Sequence, residues 1–173
     1  MDLSNNQLTE IPPEIGYLTN LEVLWLDYNQ LTSIPESIGI LSNLQKLTIK
    51  NNNISSLSDN IFNPGNLQNL TYLDLSHNEL TLLPETIVHL HNIEKLYFNW
   101  NDIISLPENI GNLTTLKMLY GQYNNLTGFP ESIGYLENLE VLSMRGNHDL
   151  SYIPDSLYGG NGFPGLVKLE GLH

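Results

Sequence analysis

The sequence predicts an α/β solenoid in which every repeat supplies one short strand and one short helical turn. Three observations predict this fold: an asparagine that recurs at a fixed interval, leucine-like residues with a two-residue alternation before it, and a proline followed by an acid after it. Self-similarity at a period of about 20 to 50 residues is typical of repeat architectures. In such a fold each repeat contacts only its neighbours.

The asparagines set the register of the repeat. Successive members are 23 residues apart, except for one interval of 26: Asn6, Asn29, Asn52, Asn78, Asn101, Asn124 and Asn147. Each follows a predicted strand, where the chain turns inward and leaves backbone groups without a strand partner. A side-chain amide offers two donors and one acceptor, so it can satisfy such groups. We therefore expect a stacked asparagine ladder.

The residues on either side of each asparagine define the strand and the return turn. In the copy that begins at Leu21, Leu24 and Leu26 point inward, while positions 3, 5, 7 and 8 of the repeat point outward. Five prolines fit the first position of a helical turn, where the missing N–H costs nothing: Pro35, Pro84, Pro107, Pro130 and Pro154. An acid follows each one, beside the positive end of the helix dipole: Glu36, Glu85, Glu108, Glu131 and Asp155.

This pattern resembles the leucine-rich repeat family, in the 23-residue form whose second half reads Leu-Pro-x-x-Ile and which is found in Ras-group and many bacterial proteins. The resemblance implies a right-handed superhelix with a parallel β-sheet on the concave face and short helical or 3-10 turns on the convex face. We predict a single domain over residues 1–173, with about seven repeats. They start near residues 1, 21, 44, 70, 93, 116 and 139, and a truncated repeat follows from residue 166.

Three irregularities interrupt the register. The repeat from Leu44 is three residues longer and should bulge on the convex side around residues 61–65. An extra residue at 148–149 predicts a one-residue loop bulge. Gly121 occupies a core position where other repeats have a large apolar residue, and an unfilled void there would cost about 2–4 kcal/mol. We expect Phe98 and Met144 to lean into the gap.

The outward positions carry the candidate binding residues. They hold both tryptophans and many of the tyrosines, and Trp, Tyr and Arg dominate binding hot spots. The candidate set is Trp25, Asp27, Tyr28, Lys46, Lys50, Tyr72, Asp74, His77, Lys95, Tyr97, Trp100, Tyr120, Tyr123 and Arg145. Strand propensity is the competing explanation. It accounts for Tyr97 and Tyr120, but not for Tyr28, Trp100 and Tyr123, which lie beyond the strand.

Charge is unevenly distributed over the predicted faces. The formal net charge is −13, which argues against nucleic acid and anionic membranes as partners. The concave positions take five of the six Lys and Arg residues, Lys168 included, but only four of the 19 acids. They are therefore close to neutral, while the remaining surface is strongly acidic. This segregation should orient a partner toward the concave face.

The sequence offers no support for an enzyme, a metal site or a cofactor. His89 and His91 are two residues apart on a predicted turn, a spacing that does not place them side by side. Asp74, Ser76 and His77 resemble a catalytic triad only in composition. The glycines at 159, 160 and 162 are interpreted as a loop, because no strand-to-helix turn follows them.

These observations predict a module that binds a protein or peptide on its aromatic concave face. One alternative is the substrate-recognition arm of a larger effector or signalling protein, such as a ubiquitin ligase. Another is a carbohydrate-binding or adhesive surface, because exposed Tyr and Trp also stack on sugars. The solenoid begins and stops inside a repeat, so self-association through uncapped ends and a fragment of a longer protein both stay open.

The sequence also bears on location. No apolar run is long enough to insert in a membrane, and the N-terminus does not read as a signal peptide. The chain has no cysteine, which fits a reducing compartment. We expect a cytoplasmic protein, in the host cell if it is a pathogen effector.

Overall fold

The computed structural model describes residues 1–157 and 168–170. The glycine-rich loop and most of the truncated last repeat lie outside the described residues. Seven parallel strands form one sheet in sequence order: β1 (Val23–Trp25), β2 (Lys46–Thr48), β3 (Tyr72–Asp74), β4 (Lys95–Tyr97), β5 (Met118–Tyr120), β6 (Val141–Ser143) and β7 (Lys168–Glu170). Seven 3-10 helices form the convex side: η1 (Pro13–Tyr17), η2 (Glu36–Ile40), η3 (Asp59–Phe62), η4 (Glu85–His89), η5 (Ile110–Asn112), η6 (Glu131–Tyr135) and η7 (Asp155–Leu157). The predicted solenoid is confirmed.

The strands pair without any shift in register. Leu24 lies opposite Leu47, which in turn lies opposite Leu73, and the same pairing continues along the sheet. These central leucines are fully buried, as are Leu26 and its counterparts two residues further on. Because side chains alternate across a strand, the same register turns positions 3 and 5 of every repeat toward the concave face.

The predicted asparagine ladder is confirmed at six of its seven positions, whereas the exposed side chain of Asn6 bonds only within its own turn. The amide of Asn101 donates to the carbonyl oxygens of Phe98 in its own repeat, at 3.0 Å, and of Leu75 in the preceding repeat, at 3.1 Å. Its oxygen accepts from the backbone N–H of Leu80 at 2.9 Å. The same three kinds of bond recur at Asn29, Asn52, Asn78, Asn124 and Asn147, all of which are buried.

A second ladder of side-chain hydrogen bonds, which the sequence analysis missed, runs along the N-terminal ends of the strands. The side chain of the residue three positions before each of the strands β2 to β6 donates to a backbone carbonyl of the preceding repeat. Asn43, Asn69, Asn92 and Asn138 make this bond at 2.7–2.8 Å. Thr115 takes the same place and donates its hydroxyl to His91 O at 2.9 Å. Side chains therefore satisfy backbone groups at both ends of the strands.

The prolines do not occupy the first helical position, contrary to the sequence prediction. Pro35 precedes η2 as its N-cap, with φ −70° and ψ 144°, and its carbonyl accepts from Ile38 N at 3.1 Å. Pro84 and Pro130 precede η4 and η6 in the same way. The reason is the backbone conformation: a ψ of 144° is extended, whereas a helical residue has a negative ψ.

The acids after the prolines lie in the first turn of their helices, as predicted, with one exception. Glu36, Glu85, Glu131 and Asp155 are first-turn residues. Glu108 is not, because η5 begins later, at Ile110.

The irregular repeats keep the sheet in register. The longer repeat forms turns over residues 64–69 after η3, while β2 and β3 pair as the other strands do. The extra residue at 148–149 forms a turn before Leu150. Both insertions lengthen a connection, one before β3 and one after β6, and neither changes a strand.

Gly121 is filled by its neighbours, as predicted. A Cβ atom at this position would overlap the Phe98 ring and would lie 2.8 Å from Met144 Sδ. Phe98 and Met144 are both fully buried. The void that a glycine leaves in the leucine layer is therefore occupied from the two adjacent repeats.

Asn101→Ala should lower the free energy of unfolding by about 1–3 kcal/mol, because it leaves the buried Leu80 N–H without a partner and removes one of the two hydrogen bonds that each of the Leu75 and Phe98 carbonyl oxygens accepts. Urea denaturation followed by circular dichroism measures the change. Asn6→Ala is the matched control, since the Asn6 side chain is exposed and bonds only within its own turn. Equal losses in the two variants would contradict a stabilising role for the ladder.

Gly121→Ala should lower the free energy of unfolding by about 1–3 kcal/mol, because the added methyl group overpacks against Phe98. The double variant Gly121→Ala/Phe98→Leu should recover part of this loss, since the shorter side chain frees the space. Thermal and urea unfolding of the two single variants and the double variant measure the coupling. Additive losses would show that the two side chains do not share the gap.

Candidate binding surface

The concave surface consists of the outward strand positions and the turn residues that follow each strand. Neighbouring strands in a sheet are about 4.8 Å apart. Because the register does not shift, side chains at the same position of successive repeats lie one strand apart. Flat side chains in such a row stack face to face.

The first aromatic row runs over β3, β4 and β5. The ring centroids of Tyr72 and Tyr97 are 5.2 Å apart and tilted by 34°, and those of Tyr97 and Tyr120 are 4.9 Å apart and stacked at 11°. All three side chains are half-buried. Burial raises the pKa of Tyr72 to about 12, with the Asp74 carboxylate contributing, so this phenol stays protonated at neutral pH.

The second aromatic row follows the strand ends. His77 stacks on Trp100 with ring centroids 5.6 Å apart, and Trp100 stacks on Tyr123 at 3.9 Å. The far face of Tyr123 lies against Gly146, where an added Cβ would approach Tyr123 Cδ1 to 2.6 Å. Burial lowers the pKa of His77, and the nearby Lys50 adds to this effect, which favours the neutral form of its ring.

The residues of the second row have an unusual backbone conformation. Tyr28, His77, Trp100 and Tyr123 have φ between 54° and 56°, in the left-handed region. The equivalent residues of other repeats are Asn5, Asn51 and Gly146, which share this conformation. Gly and Asn adopt it readily, whereas for bulky side chains it is uncommon.

The lysines of β2 and its following turn lie against aromatic rings. Lys46 Nζ is 4.4 Å from the centroid of Tyr72 and 5.9 Å from that of Trp25. Lys50 Nζ is 5.7 Å from the centroid of Tyr28. Both side chains are half-buried, as is that of Lys95, whereas Arg145 is exposed. The side chain of Lys168 lies outside the described residues.

The two acids of the candidate set are engaged by the protein itself. Asp27 accepts from the Thr48 hydroxyl at 2.9 Å and from Lys50 N at 2.8 Å, although burial raises the pKa of its carboxyl. Asp74 accepts from Ser76 N at 2.9 Å. Of the candidate set, Asp27 therefore has a structural role between repeats.

The structure brings part of the candidate set into one depression of about 230 Å³. Its lining is Lys50, Asp74, Ser76, His77, Asn99, Trp100, Gln122 and Tyr123. Trp25 and Tyr28 lie toward the N-terminal end of the sheet, and Arg145 follows β6. These three residues do not line the depression.

Sequence analysis did not single out Asn99 and Gln122. Asn99 bonds the Ser76 hydroxyl at 3.3 Å and Gln122 N at 3.0 Å, while the buried Gln122 Oε1 has no hydrogen-bond partner among the described residues. Both occupy position 7, the position of Lys50 and Arg145. Their shared position with Lys50 and Arg145 was the sequence signal by which they could have been identified.

Some outward positions are covered rather than exposed. Thr48, Ser76 and Ser143 were expected to face solvent with the other outward residues, but all three are buried. Their small side chains lie between larger neighbours of adjacent repeats. The Ser143 hydroxyl, for example, donates to Glu170 at 2.7 Å.

The residues that suggested catalysis or metal binding are engaged in other contacts. Asp74, Ser76 and His77 do line one depression, but Asp74 accepts from the Ser76 backbone and the Ser76 hydroxyl bonds Asn99. The rings of His89 and His91 are 6.4 Å apart, closer than their spacing suggested, and His89 Nδ1 lies 3.2 Å from Phe62 O. Residues 1–157 and 168–170 contain no group of three or more potential metal ligands. In the same part of the chain, none of the helices has the length and apolar character needed to cross a bilayer.

Comparisons with solved structures place the fold among known solenoids. A leucine-rich repeat protein of Leptospira interrogans aligns over 99% of this chain with 28% identity and a TM-score of 0.83. The leucine-rich repeat ectodomain of the Arabidopsis thaliana receptor kinase GASSHO1/SCHENGEN3, in complex with CASPARIAN STRIP INTEGRITY FACTOR 2, aligns over 98% with 29% identity and a TM-score of 0.76. The PEPR1–AtPEP1 structure aligns over 98% with 27% identity and a TM-score of 0.75.

This chain spans only part of each of those proteins. It covers 48% of the Leptospira protein, 24% of the GASSHO1/SCHENGEN3 chain and 27% of the PEPR1 chain. A search of curated proteins found no significant match.

Family models match nearly all of the described solenoid. The model described as leucine-rich repeat region matches residues 54–157, and that described as leucine rich repeat matches residues 1–54. Together with the parallel sheet, the 3-10 turns and the asparagine ladder, these matches identify the fold and its repeats. The chain belongs to the leucine-rich repeat family.

Proposed function

We propose that this protein binds a protein or peptide on its concave surface, with Tyr28, Trp100 and Tyr123 as the main contact residues. The observation that carries the proposal is the left-handed backbone conformation of these bulky residues. A bulky residue in this conformation carries a free-energy cost that the fold does not require, because other repeats have Asn or Gly at the same position.

The cost follows from the comparison between repeats. Asn5, Asn51 and Gly146 adopt the same conformation at the same position with residues suited to it. A bulky L-residue there costs roughly 1–2 kcal/mol, because Cβ approaches the following carbonyl oxygen. The solenoid is therefore built equally well with Asn or Gly, so an aromatic side chain at this position calls for another explanation. Locally strained residues cluster at functional sites.

Stacking offsets part of this cost, but not at every residue. Trp100 and Tyr123 gain from their mutual contact, which is worth roughly 0.5–1.5 kcal/mol for an aromatic pair. Tyr28 has no aromatic partner among the described residues, and half of its surface is exposed. Its nearest compensation is the Lys50 ammonium group. Tyr28 is accordingly the clearest case of a side chain that the fold does not explain.

Exposure by itself does not single out the concave surface. Tyr17 and Tyr135 on the convex helices are 80% and 68% exposed, more than Trp100 at 49%. These convex tyrosines lie on short 3-10 helices without positive φ, so they carry no comparable backbone cost. They provide matched controls for any experiment on the concave aromatics.

The comparisons support a binding role of this general kind. The GASSHO1/SCHENGEN3 ectodomain was solved in complex with CASPARIAN STRIP INTEGRITY FACTOR 2, and the other plant structure is that of PEPR1–AtPEP1. Solenoids of this family thus serve as binding scaffolds. Because this chain spans about half or less of those proteins, a role as the recognition arm of a longer effector or signalling protein is compatible with the proposal.

The geometry favours a protein over a carbohydrate. A sugar ring packs on an open aromatic face, but both faces of Trp100 are covered by His77 and Tyr123. Trp100 presents its ring edge instead, and this edge suits the acceptor groups of a polypeptide.

Tyr28→Asn should leave the free energy of unfolding unchanged or raise it by up to about 1 kcal/mol, because asparagine suits the left-handed conformation better than tyrosine does. Urea denaturation checks the change. A loss above about 1 kcal/mol would mean that Tyr28 is retained for stability, which would contradict its assignment to binding.

The triple variant Tyr28→Asn/Trp100→Asn/Tyr123→Asn should lose the partners that the wild type retains from lysate. A variant carrying Tyr17→Asn and Tyr135→Asn should keep them, since it removes exposed tyrosines from the convex side only. Mass spectrometry identifies the retained proteins, and titration with each purified candidate checks direct binding. Circular dichroism must show that the three proteins are equally folded. Equal retention by both variants would overturn the proposal.

A further inference from the structure

We infer that the partner of the concave surface is an extended acidic segment of polypeptide, which crosses the strands with its carboxylates toward Lys46, Lys50 and Arg145. This inference rests on the proposed function and specifies the chemistry of the partner. It depends on the cations that make no ion pair, on the orientation of the aromatic rings, and on the hydrogen-bond acceptors of the depression.

Four of the five concave cations have a described side chain, and none of these four makes an ion pair with a described carboxylate. Within residues 1–157 and 168–170, the ion pair within 4.0 Å is that of Lys117 with Glu94, at 3.1 Å. Lys46, Lys50, Lys95 and Arg145 have no such pair in the described structure, although the chain carries 19 acids and only six Lys and Arg residues. Unpaired cations gathered on one face of so acidic a chain point to an anionic partner.

The edges of the aromatic rings, like the lysines, attract negatively charged groups. Each inner ring has a neighbour on both faces: Trp100 lies between His77 and Tyr123, and Tyr97 lies between Tyr72 and Tyr120. The outer face of Tyr72 lies near Lys46. At these two inner rings the edges are left for a ligand. Aromatic edges carry partial positive charge, so they attract carboxylate and carbonyl oxygens and repel cations.

The depression provides the complementary acceptors. The unpartnered Gln122 Oε1 and the Asp74 carboxylate both belong to its lining. The half-buried Asp74 carboxylate would repel a carboxylate of the partner, whereas a peptide N–H can donate to it. Acceptors in the depression and ammonium groups beside it match the alternation of backbone N–H and acidic side chains along an extended chain.

The dimensions fit a short segment. The span from β2 to β6 is four strand spacings, or about 19 Å, which an extended chain covers with roughly six residues. The convex acids do not prevent this binding. They lie beyond the buried leucine layer, and salt at physiological concentration screens charges beyond about 8 Å.

A display library of random peptides tests the inference without assuming a sequence. The library is selected on the wild type and, in parallel, on the Trp100→Asn/Tyr123→Asn variant, and the peptides lost with the variant are sequenced. Enrichment of Asp and Glu over Asn and Gln in these peptides, with depletion of Lys and Arg, is the expected result. Neutral or basic peptides that depend on the two aromatics would overturn the acidic partner and leave the proposed function standing. If no peptide depends on the two aromatics, the inference fails together with its premise.

Titration of the most enriched synthetic peptide measures the role of the lysines. Both tryptophans of the chain, Trp25 and Trp100, belong to the concave surface, so their intrinsic fluorescence reports occupancy without a label. Lys46→Gln/Lys50→Gln should weaken binding roughly fivefold to thirtyfold at low salt, and added salt should reduce the difference. Lys117→Gln is the matched control, and it should bind as the wild type does. Equal affinities for all three proteins would overturn the inference.

Discussion

The fold depends above all on the side-chain amide buried at the end of each strand. Where the chain leaves the strand, its carbonyl groups point inward and have no strand to pair with, and an unpaired buried polar group costs about 1–3 kcal/mol. Asn52, for example, donates to a carbonyl in its own repeat and to one in the preceding repeat, and it accepts from Leu31 N. One short side chain thus closes the turn and fixes the distance between two repeats. The strands can then stack without a shift in register.

The character of the concave surface follows from that register. Residues at one position lie about one strand spacing apart, which is close to the separation preferred by stacked rings. Tyr97 and Tyr120 therefore stack at 4.9 Å, and Trp100 and Tyr123 at 3.9 Å. Stacking covers the ring faces and leaves the edges outward. A spacing that belongs to the backbone thereby decides which part of each aromatic ring a partner can reach.

Much of the fold could be predicted because its signals are local and repeated. The period, the inward leucines and the asparagine ladder each need only one residue type at one position, and the compensation at Gly121 follows from comparing that position between repeats. The placement of Pro35 was predicted one residue too far into the helix, because the proline ring fixes only φ, and only ψ distinguishes the N-cap from the first helical residue. The second ladder was missed although Asn43 and its counterparts recur just before each repeat, because the carbonyl that accepts each bond belongs to another repeat.

The sequence by itself determined the repeat, the strand register, the aromatic and cationic positions of the concave face, and the acidity of the remaining surface. Only the tertiary structure decided how those side chains are used. It showed that Asp27 bonds to the next repeat, that Thr48 and Ser76 are covered, and that Tyr28 and Trp100 have a left-handed backbone. The physical reason is that periodicity fixes the direction of a side chain, whereas its contacts depend on residues about 23 positions away. Those residues become neighbours only when the repeats stack.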